Sequence, residues 1–232
     1  MGDVPAVLLP GLLCSPRLYA EQLPALWQFG PVTVASHRHD DSLAAIARRF
    51  LATAPPRFAL AGLSMGGYLA FELMRQAGDR VTRLALLNTS ARPDRAEQSQ
   101  DRREQIAMTR DGRFAEAVDI LYQRWVRPAR RDDPALGPVV RQMADETGPE
   151  AFIRQQTAIM NRPDSRPGLA AIGCPVLVVA GAEDTVTIPE YAEEMAGGIP
   201  QAKLVVIPDC GHLSTLEQPA AVTEALVGWL TS

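Results

Sequence analysis

Gly62-Leu63-Ser64-Met65-Gly66 is the stretch that decides the fold, because of the residues on either side of it. The run Phe58-Ala59-Leu60-Ala61 before it is short and apolar, which is typical of a buried strand. Residues 65–77 after it have the pattern of a helix, and Gly78 is placed to end that helix. Glycines on both sides of a serine leave room for a tight strand-to-helix turn that lifts the hydroxyl to the edge of a sheet. The sequence therefore predicts that Ser64 is a nucleophile at a helix N-terminus, where the helix dipole favours developing negative charge.

The base that a serine nucleophile needs is sought among three histidines, His37, His39 and His212. A serine hydroxyl attacks a carbonyl efficiently only when a base such as imidazole takes its proton. His212 comes shortly after the apolar run 203–207, which predicts a loop at the carboxyl end of a buried strand. Open parallel sheets place their sites at that edge, so His212 is the candidate base. The alternative interpretation of His212 is a solvated loop residue without a catalytic role.

A carboxylate that fixes the imidazole tautomer is expected after another buried strand. Residues 176–180 form such an apolar run, and Gly181-Ala182-Glu183-Asp184 follows it directly. Asp184 is the candidate acid, and Glu183 is its nearest rival. The chain order is therefore serine, aspartate, histidine, each after a different predicted strand, which is the order expected of the α/β-hydrolase fold.

Over nearly its whole length the chain resembles members of the α/β-hydrolase superfamily. Residues 62–66 resemble the nucleophile elbow of that family, and residues 181–189 resemble its acid loop, which favours the aspartate over the glutamate before it. Gly211-His212, followed by Glu-Gln-Pro at residues 217–219, resembles the histidine loop. The resemblance implies a catalytic triad formed by Ser64, Asp184 and His212.

Residues 7–12, Val-Leu-Leu-Pro-Gly-Leu, resemble the oxyanion strand and loop of the family. Many relatives carry a histidine where this chain has Pro10. The departure leaves the backbone donors of the loop available. By the family's pattern, the backbone N–H groups of Leu12 and Met65 form the oxyanion hole.

Alternating strand and helix patterns predict an α/β architecture, with a mostly parallel sheet covered on both faces. Six apolar runs are candidates for strands, at residues 6–9, 31–35, 57–63, 83–88, 175–180 and 203–207. Helical patterns lie between most of them, at residues 42–54, 65–77, 189–196 and 219–230. We therefore expect an α/β-hydrolase fold with about six strands.

The interval 91–173 breaks this alternation, because it contains no credible strand. Four helical patterns fall within it, at residues 94–109, 113–127, 134–146 and 149–160. By resemblance the interval is a helical cap inserted after the fourth strand, and residues 1–90 and 174–232 form the hydrolase core. Part of one apolar helix face is expected to line the substrate pocket, although the cap could instead only shield the core. That face carries Phe114, Val118, Leu121, Tyr122 and Trp125.

Composition and charge exclude several classes of partner. The chain has 232 residues, of which 47% are apolar, and this is enough for one domain with a sizeable core. The net charge of −4 gives no general attraction to nucleic acid or anionic membranes. No stretch approaches the roughly 20 apolar residues that span a bilayer, and the N-terminus lacks the basic region of a signal peptide. The three cysteines lack the spacing of a disulfide framework, so free thiols and a cytoplasmic location are expected.

Two charged segments could each be an ordinary surface feature or a binding site. Residues 92–131 are rich in arginine, but acidic residues interleave at helical spacings, which favours a solvated, self-paired surface. The alternative is a docking face for an acidic carrier or an anionic substrate. Residues 36–41 hold two histidines and two aspartates on a single predicted turn, without a second set of metal ligands. We expect no metal there, and expect Asp40, Asp41 and Ser42 to cap the following helix.

These motifs and the family resemblance together imply a serine hydrolase without a cofactor. Its small-molecule substrate is expected to be a carboxylic ester or thioester, cleaved through an acyl-enzyme on Ser64. The same triad on the same fold also serves carbon–carbon bond hydrolases and cofactor-free perhydrolases, so the motif does not select the bond. A further alternative, from another functional class, is a ligand receptor that keeps the fold and has little turnover.

Overall fold

The computed structural model describes residues 5–231, and six strands within that range form one parallel sheet. The strands are β1 (Ala6–Leu9), β2 (Val32–Val34), β3 (Phe58–Leu63), β4 (Val81–Leu87), β5 (Val176–Gly181) and β6 (Lys203–Ile207). They lie in the order β2-β1-β3-β4-β5-β6, and every neighbouring pair is parallel. β1, β3 and β5 are buried along their whole length, because helices cover both faces of the sheet. The predicted six-stranded α/β sheet is confirmed.

Register brings the carboxyl ends of the central strands to one edge. Leu9 of β1 pairs with Gly62 of β3, and Leu63 pairs with Leu87 of β4. Leu87 in turn pairs with Val179 of β5. The loops that follow these strands therefore start side by side, and this is the edge where open parallel sheets place their sites.

Ten α-helices connect and cover the strands within the described range. They are α1 (Leu23–Leu26), α2 (Leu43–Leu51), α3 (Met65–Ala77), α4 (Ala96–Arg110), α5 (Phe114–Trp125), α6 (Leu136–Thr147), α7 (Pro149–Met160), α8 (Pro189–Gly198), α9 (Ser214–Glu217) and α10 (Pro219–Thr231). The sequence patterns predict α2–α8 and α10 to within a few residues at each end. They miss α1 and α9, because a helix of four residues is too short to show the 3.6-residue period.

The four helices α4–α7 lie between β4 and β5, in the interval that is predicted to be a cap, and are called the cap below. They pack on one another, with α4 against α5 and α7, and α6 against α5 and α7. A hydrogen bond of 2.8 Å from the amide of Ser165 to the carbonyl of Ala91 joins the two ends of this insertion. Buried cap residues such as Val118 and Phe152 belong to the same apolar cluster as the sheet. The boundaries at residues 91 and 173 stay a prediction.

No helix within residues 5–231 is both long and apolar enough to cross a bilayer.

Candidate active site

Ser64 stands on a turn that only small neighbours permit. It links β3 to α3 with φ 55° and ψ −114°, a backbone conformation that residues with a side chain rarely adopt. A Cβ atom at position 62 would lie 2.3 Å from the carbonyl oxygen of Gly66. A Cβ atom at position 66 would lie 2.0 Å from the carbonyl oxygen of Leu9. Both glycines are therefore required by close backbone contact, and the turn holds the Ser64 hydroxyl above the carboxyl edge of the sheet.

His212 lies beside the Ser64 hydroxyl. Its Nε2 atom is 2.9 Å from Ser64 Oγ, and the imidazole is buried. The amide of His212 donates to the carbonyl of Trp125 at the end of α5, at 2.9 Å. The cap therefore contributes a backbone acceptor that fixes the histidine loop from above.

Asp184 holds the other side of the imidazole. Its Oδ2 atom lies 2.8 Å from Nδ1 of His212. A carboxylate can only accept, so Nδ1 carries the proton and the lone pair of Nε2 faces the Ser64 hydroxyl. In this arrangement the hydroxyl of Ser64 donates to His212, which is the state in which the imidazole can take the serine proton.

The carboxylate of Asp184 accepts five hydrogen bonds from protein groups. The amides of Val186 and Thr187 donate to Oδ1, at 2.8 and 3.0 Å. The Thr187 hydroxyl, the Asn88 side-chain amide and His212 donate to Oδ2, at 2.7, 3.0 and 2.8 Å. Burial raises the pKa of Asp184, but the interaction with His212 and the hydrogen bonds outweigh it, so the pKa lies below its usual value. Asp184 is thus held as an anion.

Glu183 faces away from the histidine. Its carboxylate pairs with Arg127 at 2.7 Å, and its side chain is 43% exposed. Of the two candidate acids, Asp184 is therefore the one that contacts His212.

Asn88 and Thr187 complete this arrangement and were missed by the sequence patterns. Asn88 follows β4 directly with φ 42° and also donates to the carbonyl of Gly211, at 3.1 Å. It thereby links the acid to the histidine loop. Its signal was present, since Asn88 is the first polar residue after a buried strand that ends beside β3. Thr187 lies three residues after Asp184, where a local side-chain hydrogen bond is common.

Glu217 is a second buried carboxylate in the histidine loop. It accepts from the amides of Leu213 and Arg127, at 3.2 and 3.1 Å. Burial raises the pKa of Glu217 above its usual value, although backbone amides that include those of Arg127, Gly211 and Leu213 oppose the shift. Glu217 joins the residues around His212 to the segment after α5, and this role could not be read from its sequence position.

The two predicted oxyanion donors come from two different segments of the chain. Leu12 is in the loop after β1, and Met65 is the first residue of α3. Within residues 5–231 neither the amide of Leu12 nor that of Met65 donates a hydrogen bond to another group. Both N–H groups are thus available to a bound oxygen atom, as an oxyanion hole requires.

Ser64 and Leu12 line a cavity of about 190 Å³. Leu121 and Trp125 of α5 and Ile159 of α7 form its apolar wall. Polar residues that line it include Arg95, Gln98 and Arg102, from α4 and the residue before it. Two of the five residues of the α5 apolar face, Leu121 and Trp125, line this cavity; that the cavity binds the substrate stays a prediction.

Comparison with known proteins identifies the family to which this arrangement belongs. Residues 6–225 match the model of the alpha/beta hydrolase family. The chain belongs to the α/β-hydrolase family. Over 188 residues this hydrolase is 32% identical to BpoC of Mycobacterium tuberculosis, which bears the name of a non-heme bromoperoxidase; the match covers 77% of this chain and 69% of BpoC.

Two solved structures resemble this hydrolase over nearly all of its length. A thermophilic esterase from Thermogutta terrifontis superposes with a TM-score of 0.88 and 32% identity, covering 98% of this chain and 89% of the esterase. The enol-lactonase from Burkholderia xenovorans LB400 superposes with a TM-score of 0.89 and 26% identity, covering 100% of this chain and 93% of the lactonase. Each likeness supports a hydrolase.

The other histidines of this hydrolase lie apart from Ser64. His39 is exposed, whereas His37 is buried and contacts Pro10 and Gln155. Ser42 caps α2 through its side chain, which accepts from the amide of Ala45 at 3.2 Å. Among residues 5–231 no group of three or more His, Cys, Asp or Glu side chains is arranged to hold a metal.

The three cysteines of this hydrolase are free thiols. Burial raises the pKa of Cys14 to about 12, so it is a neutral thiol at physiological pH. Burial also raises the pKa values of Cys174 and Cys210. None of the three is thereby prepared to act as a nucleophile.

Most arginines of the cap segment are engaged in ion pairs. Arg92 pairs with Glu194, Arg102 with Asp94, and Arg124 with Asp101. Arg127 and Arg130 pair in the same way with nearby carboxylates. This pairing favours the self-paired surface over a docking face, and an acidic carrier stays a prediction without support.

Proposed function

We propose that this α/β-hydrolase cleaves a small carboxylic ester through an acyl-enzyme on Ser64. The observation that carries the proposal is the continuous contact from Ser64 Oγ to His212 Nε2, 2.9 Å, and from His212 Nδ1 to Asp184, 2.8 Å. The five hydrogen bonds to Asp184 support a role as the group that fixes the imidazole tautomer. Ser64, His212 and Asp184 are thus assigned as nucleophile, base and acid.

In the proposed reaction, His212 takes the hydroxyl proton as Ser64 Oγ forms a bond to the ester carbonyl carbon. The carbonyl oxygen becomes an oxyanion, which accepts from the N–H groups of Leu12 and Met65. The carbon–oxygen bond to the alcohol then breaks, and His212 protonates the departing alcohol. Water, deprotonated by the same imidazole, releases the acid and restores Ser64.

The cavity supports a small substrate with a polar part. Its volume of about 190 Å³ is below the range of roughly 300–1,000 Å³ that is common for drug-sized ligands. The apolar wall of Leu121, Trp125 and Ile159 suits a short acyl chain. The polar residues from α4 in the lining suit an oxygen-rich alcohol or acid part. A lactone, as in the enol-lactonase relative, is an ester of this kind.

The nucleophile is tested by reaction with a fluorophosphonate, which phosphonylates an activated serine. Intact mass should show one adduct on the wild-type chain and none on Ser64→Ala. A screen of p-nitrophenyl esters with increasing acyl length should then give the highest kcat/KM for short chains. An unchanged adduct on Ser64→Ala, or a preference for long chains, would contradict the proposal.

Perhydrolysis is a second candidate, favoured by the similarity to BpoC. In this reaction hydrogen peroxide replaces water in the attack on the acyl-enzyme and gives a peracid, which can oxidise bromide. The test is bromide-dependent halogenation of a phenol dye in the presence of an ester and hydrogen peroxide. Halogenation that Ser64→Ala abolishes would favour this candidate, and its absence from the wild type would exclude it.

A further inference from the structure

The loop after β1 has a conformation that its own residues do not explain. Leu13 has φ 59°, a value that a leucine rarely adopts without external support. Within residues 10–13 the only regular feature is a turn in which the amide of Cys14 donates to the carbonyl of Gly11, at 3.1 Å. Leu12, the proposed oxyanion donor, lies in the middle of this loop. Its N–H direction therefore depends on whatever holds the loop.

Three hydrogen bonds lead from this loop through two buried side chains and back to the loop. The amide of Leu13 donates to Oε1 of Gln155, at 3.1 Å. Nε2 of Gln155 lies 2.8 Å from Nδ1 of His37, and Nε2 of His37 lies 2.9 Å from the carbonyl oxygen of Pro10. Gln155 is 0% and His37 is 2% exposed, so water does not compete for these groups. We call this closed path the loop clamp.

The direction of every bond in the loop clamp is fixed by its two ends. The amide of Leu13 can only donate, so the oxygen of Gln155 faces it and the NH2 group faces His37. The carbonyl of Pro10 can only accept, so Nε2 of His37 carries the proton and Nδ1 is left as an acceptor. The clamp is thus satisfied by one amide orientation and one neutral histidine tautomer. A proton on Nδ1 would set two donors against each other.

The surroundings of His37 favour that neutral form. Burial lowers the pKa of His37 below its ordinary value, against hydrogen bonds to the backbone of Pro10 and of His37 itself. His37 lines a second cavity, and the other charged or titratable residues in its lining are Arg38, Cys14 and Glu146. Glu146 is engaged by Ser15 and Arg17, both at 2.6 Å, rather than by the imidazole.

We propose that Gln155 and His37 are positioning residues that hold residues 10–13 so that the Leu12 amide points at the oxyanion. The proposal rests on the proposed function, because it assigns the purpose of the loop to ester hydrolysis. Gln155 comes from α7, so the cap contributes to the geometry of a catalytic loop in the core. Neither side chain touches the reacting atoms.

Gln156 offers a matched control for the loss of a buried amide. It is the next residue on α7, is also 0% exposed, and contacts Gln105 and Arg102 instead of the loop. Removal of one oxyanion donor typically costs about 10²–10³ in kcat. We expect Gln155→Leu to lower kcat by about 10–10² with little change in KM. Because its partner Arg102 lines the cavity, Gln156→Leu is expected to change KM and to keep kcat within about threefold. Equal losses of kcat in the two variants would overturn the proposal.

Gln155→Glu separates positioning from simple packing. A carboxylate can still accept from the Leu13 amide, and its second oxygen can accept from a protonated His37 Nδ1. We expect Gln155→Glu to recover at least tenfold in kcat over Gln155→Leu. ¹⁵N spectra should show His37 as an imidazolium in this variant at pH 7 and as the neutral Nε2–H tautomer in the wild type. A neutral Nδ1–H tautomer in the wild type would contradict the clamp.

Hydrogen exchange tests the clamp without any catalysis. The amide of Leu13 should be protected in the wild type and in Gln156→Leu, and should exchange at least tenfold faster in Gln155→Leu. If the wild type shows this protection but no ester turnover, the proposed function fails while the clamp stands. If the wild type hydrolyses esters and Leu13 exchanges freely, the clamp fails alone. If Gln155→Leu does not fold, the ¹⁵N spectra of His37 in the wild type and in Gln155→Glu still test the clamp.

Discussion

At the scale of single residues, the candidate site is organised around the oxygens of Asp184. Of the groups that donate to them, only His212 belongs to the proposed catalytic triad; the others, including Asn88 and Thr187, act by fixing the carboxylate. A carboxylate held from several sides cannot rotate away when its histidine becomes charged. The direction of the imidazole is therefore set before a substrate binds, which is the condition for electrostatic preorganisation.

The choice of acid can be tested by two amide substitutions of equal size. Asp184→Asn should lower kcat by about 10⁴, because the amide stabilises the wrong tautomer of His212 and does not stabilise the imidazolium that forms during the reaction. Glu183→Gln should lower kcat less than threefold, since Glu183 contacts Arg127 and not His212. Steady-state kinetics on a p-nitrophenyl ester gives both values. The reverse ranking would show that Glu183 is the acid.

Asn88 permits a separate test of its side chain and its backbone. Asn88→Gly and Asn88→Ala both remove the hydrogen bonds to Asp184 and Gly211, so both should lower kcat by about 10–10². Alanine must also adopt φ 42°, which costs about 1 kcal/mol more than for glycine. Urea denaturation should therefore find Asn88→Ala less stable than Asn88→Gly. Wild-type kcat in both variants would mean that Asn88 does not support the acid.

At the scale of elements, the long helices could be predicted from the sequence, whereas the loop conformations and the contacts between distant segments could not. The predicted bounds of α3 and α7 coincide with the observed Met65–Ala77 and Pro149–Met160, because both helices have apolar residues at helical spacing and clear end signals. The loop after β1 shows no such period, and the sequence resemblance was needed to assign it. Gln155 and Glu217 gain their roles only from contacts with distant segments. A single sequence carries no signal for such pairings.

Helix α5 should set chain-length preference through one part of its apolar face. Trp125 and Leu121 line the cavity with Ser64, whereas Phe114 packs on Phe152 with ring centres 5.8 Å apart. Trp125→Ala should change which acyl chain length has the highest kcat/KM. The ratio of kcat/KM between chains that differ by one methylene should change by about 10–200-fold, since one methylene contact is worth about 1–3 kcal/mol. Phe114→Ala is the matched control.

For Phe114→Ala we expect a lower free energy of unfolding and an unchanged acyl-length profile. Labelling of Ser64 by a small fluorophosphonate should stay near the wild-type rate in both variants. A flat profile in Trp125→Ala would place specificity elsewhere on the cavity wall.

At the scale of the whole molecule, the buried histidine couples stability to pH. Burial lowers the pKa of His37 in the folded chain, so below an ordinary histidine pKa of about 6.5 the unfolded chain binds more protons. The free energy of unfolding should therefore decrease as the pH falls below about 6.5, by at most about 1.4 kcal/mol per unit from this group. Asp184 affects stability in a lower pH range. Because its pKa is lowered in the folded chain, its contribution to the free energy of unfolding is lost only as the pH falls below about 3.8.

Urea denaturation between pH 7.5 and 5 measures the contribution of His37. His37→Asn should be less stable than the wild type at pH 7.5, and the difference should narrow as the pH falls. His39→Asn, which removes an exposed histidine two residues away, controls for the loss of a histidine as such. A constant difference between the wild type and His37→Asn over this range would contradict the expected titration.

The backbone bond from the amide of His212 to the carbonyl of Trp125 bears on how such enzymes can be recombined. A helical segment exchanged between relatives has to restore an acceptor at this point, and also the amide of Arg127 that faces Glu217. Chimeras cut at the start and end of the insertion would replace part of the support of the histidine together with the pocket wall. Directed evolution of specificity should therefore begin with side chains on α5 and α7, because wholesale segment exchange perturbs the chemistry and the selectivity at once.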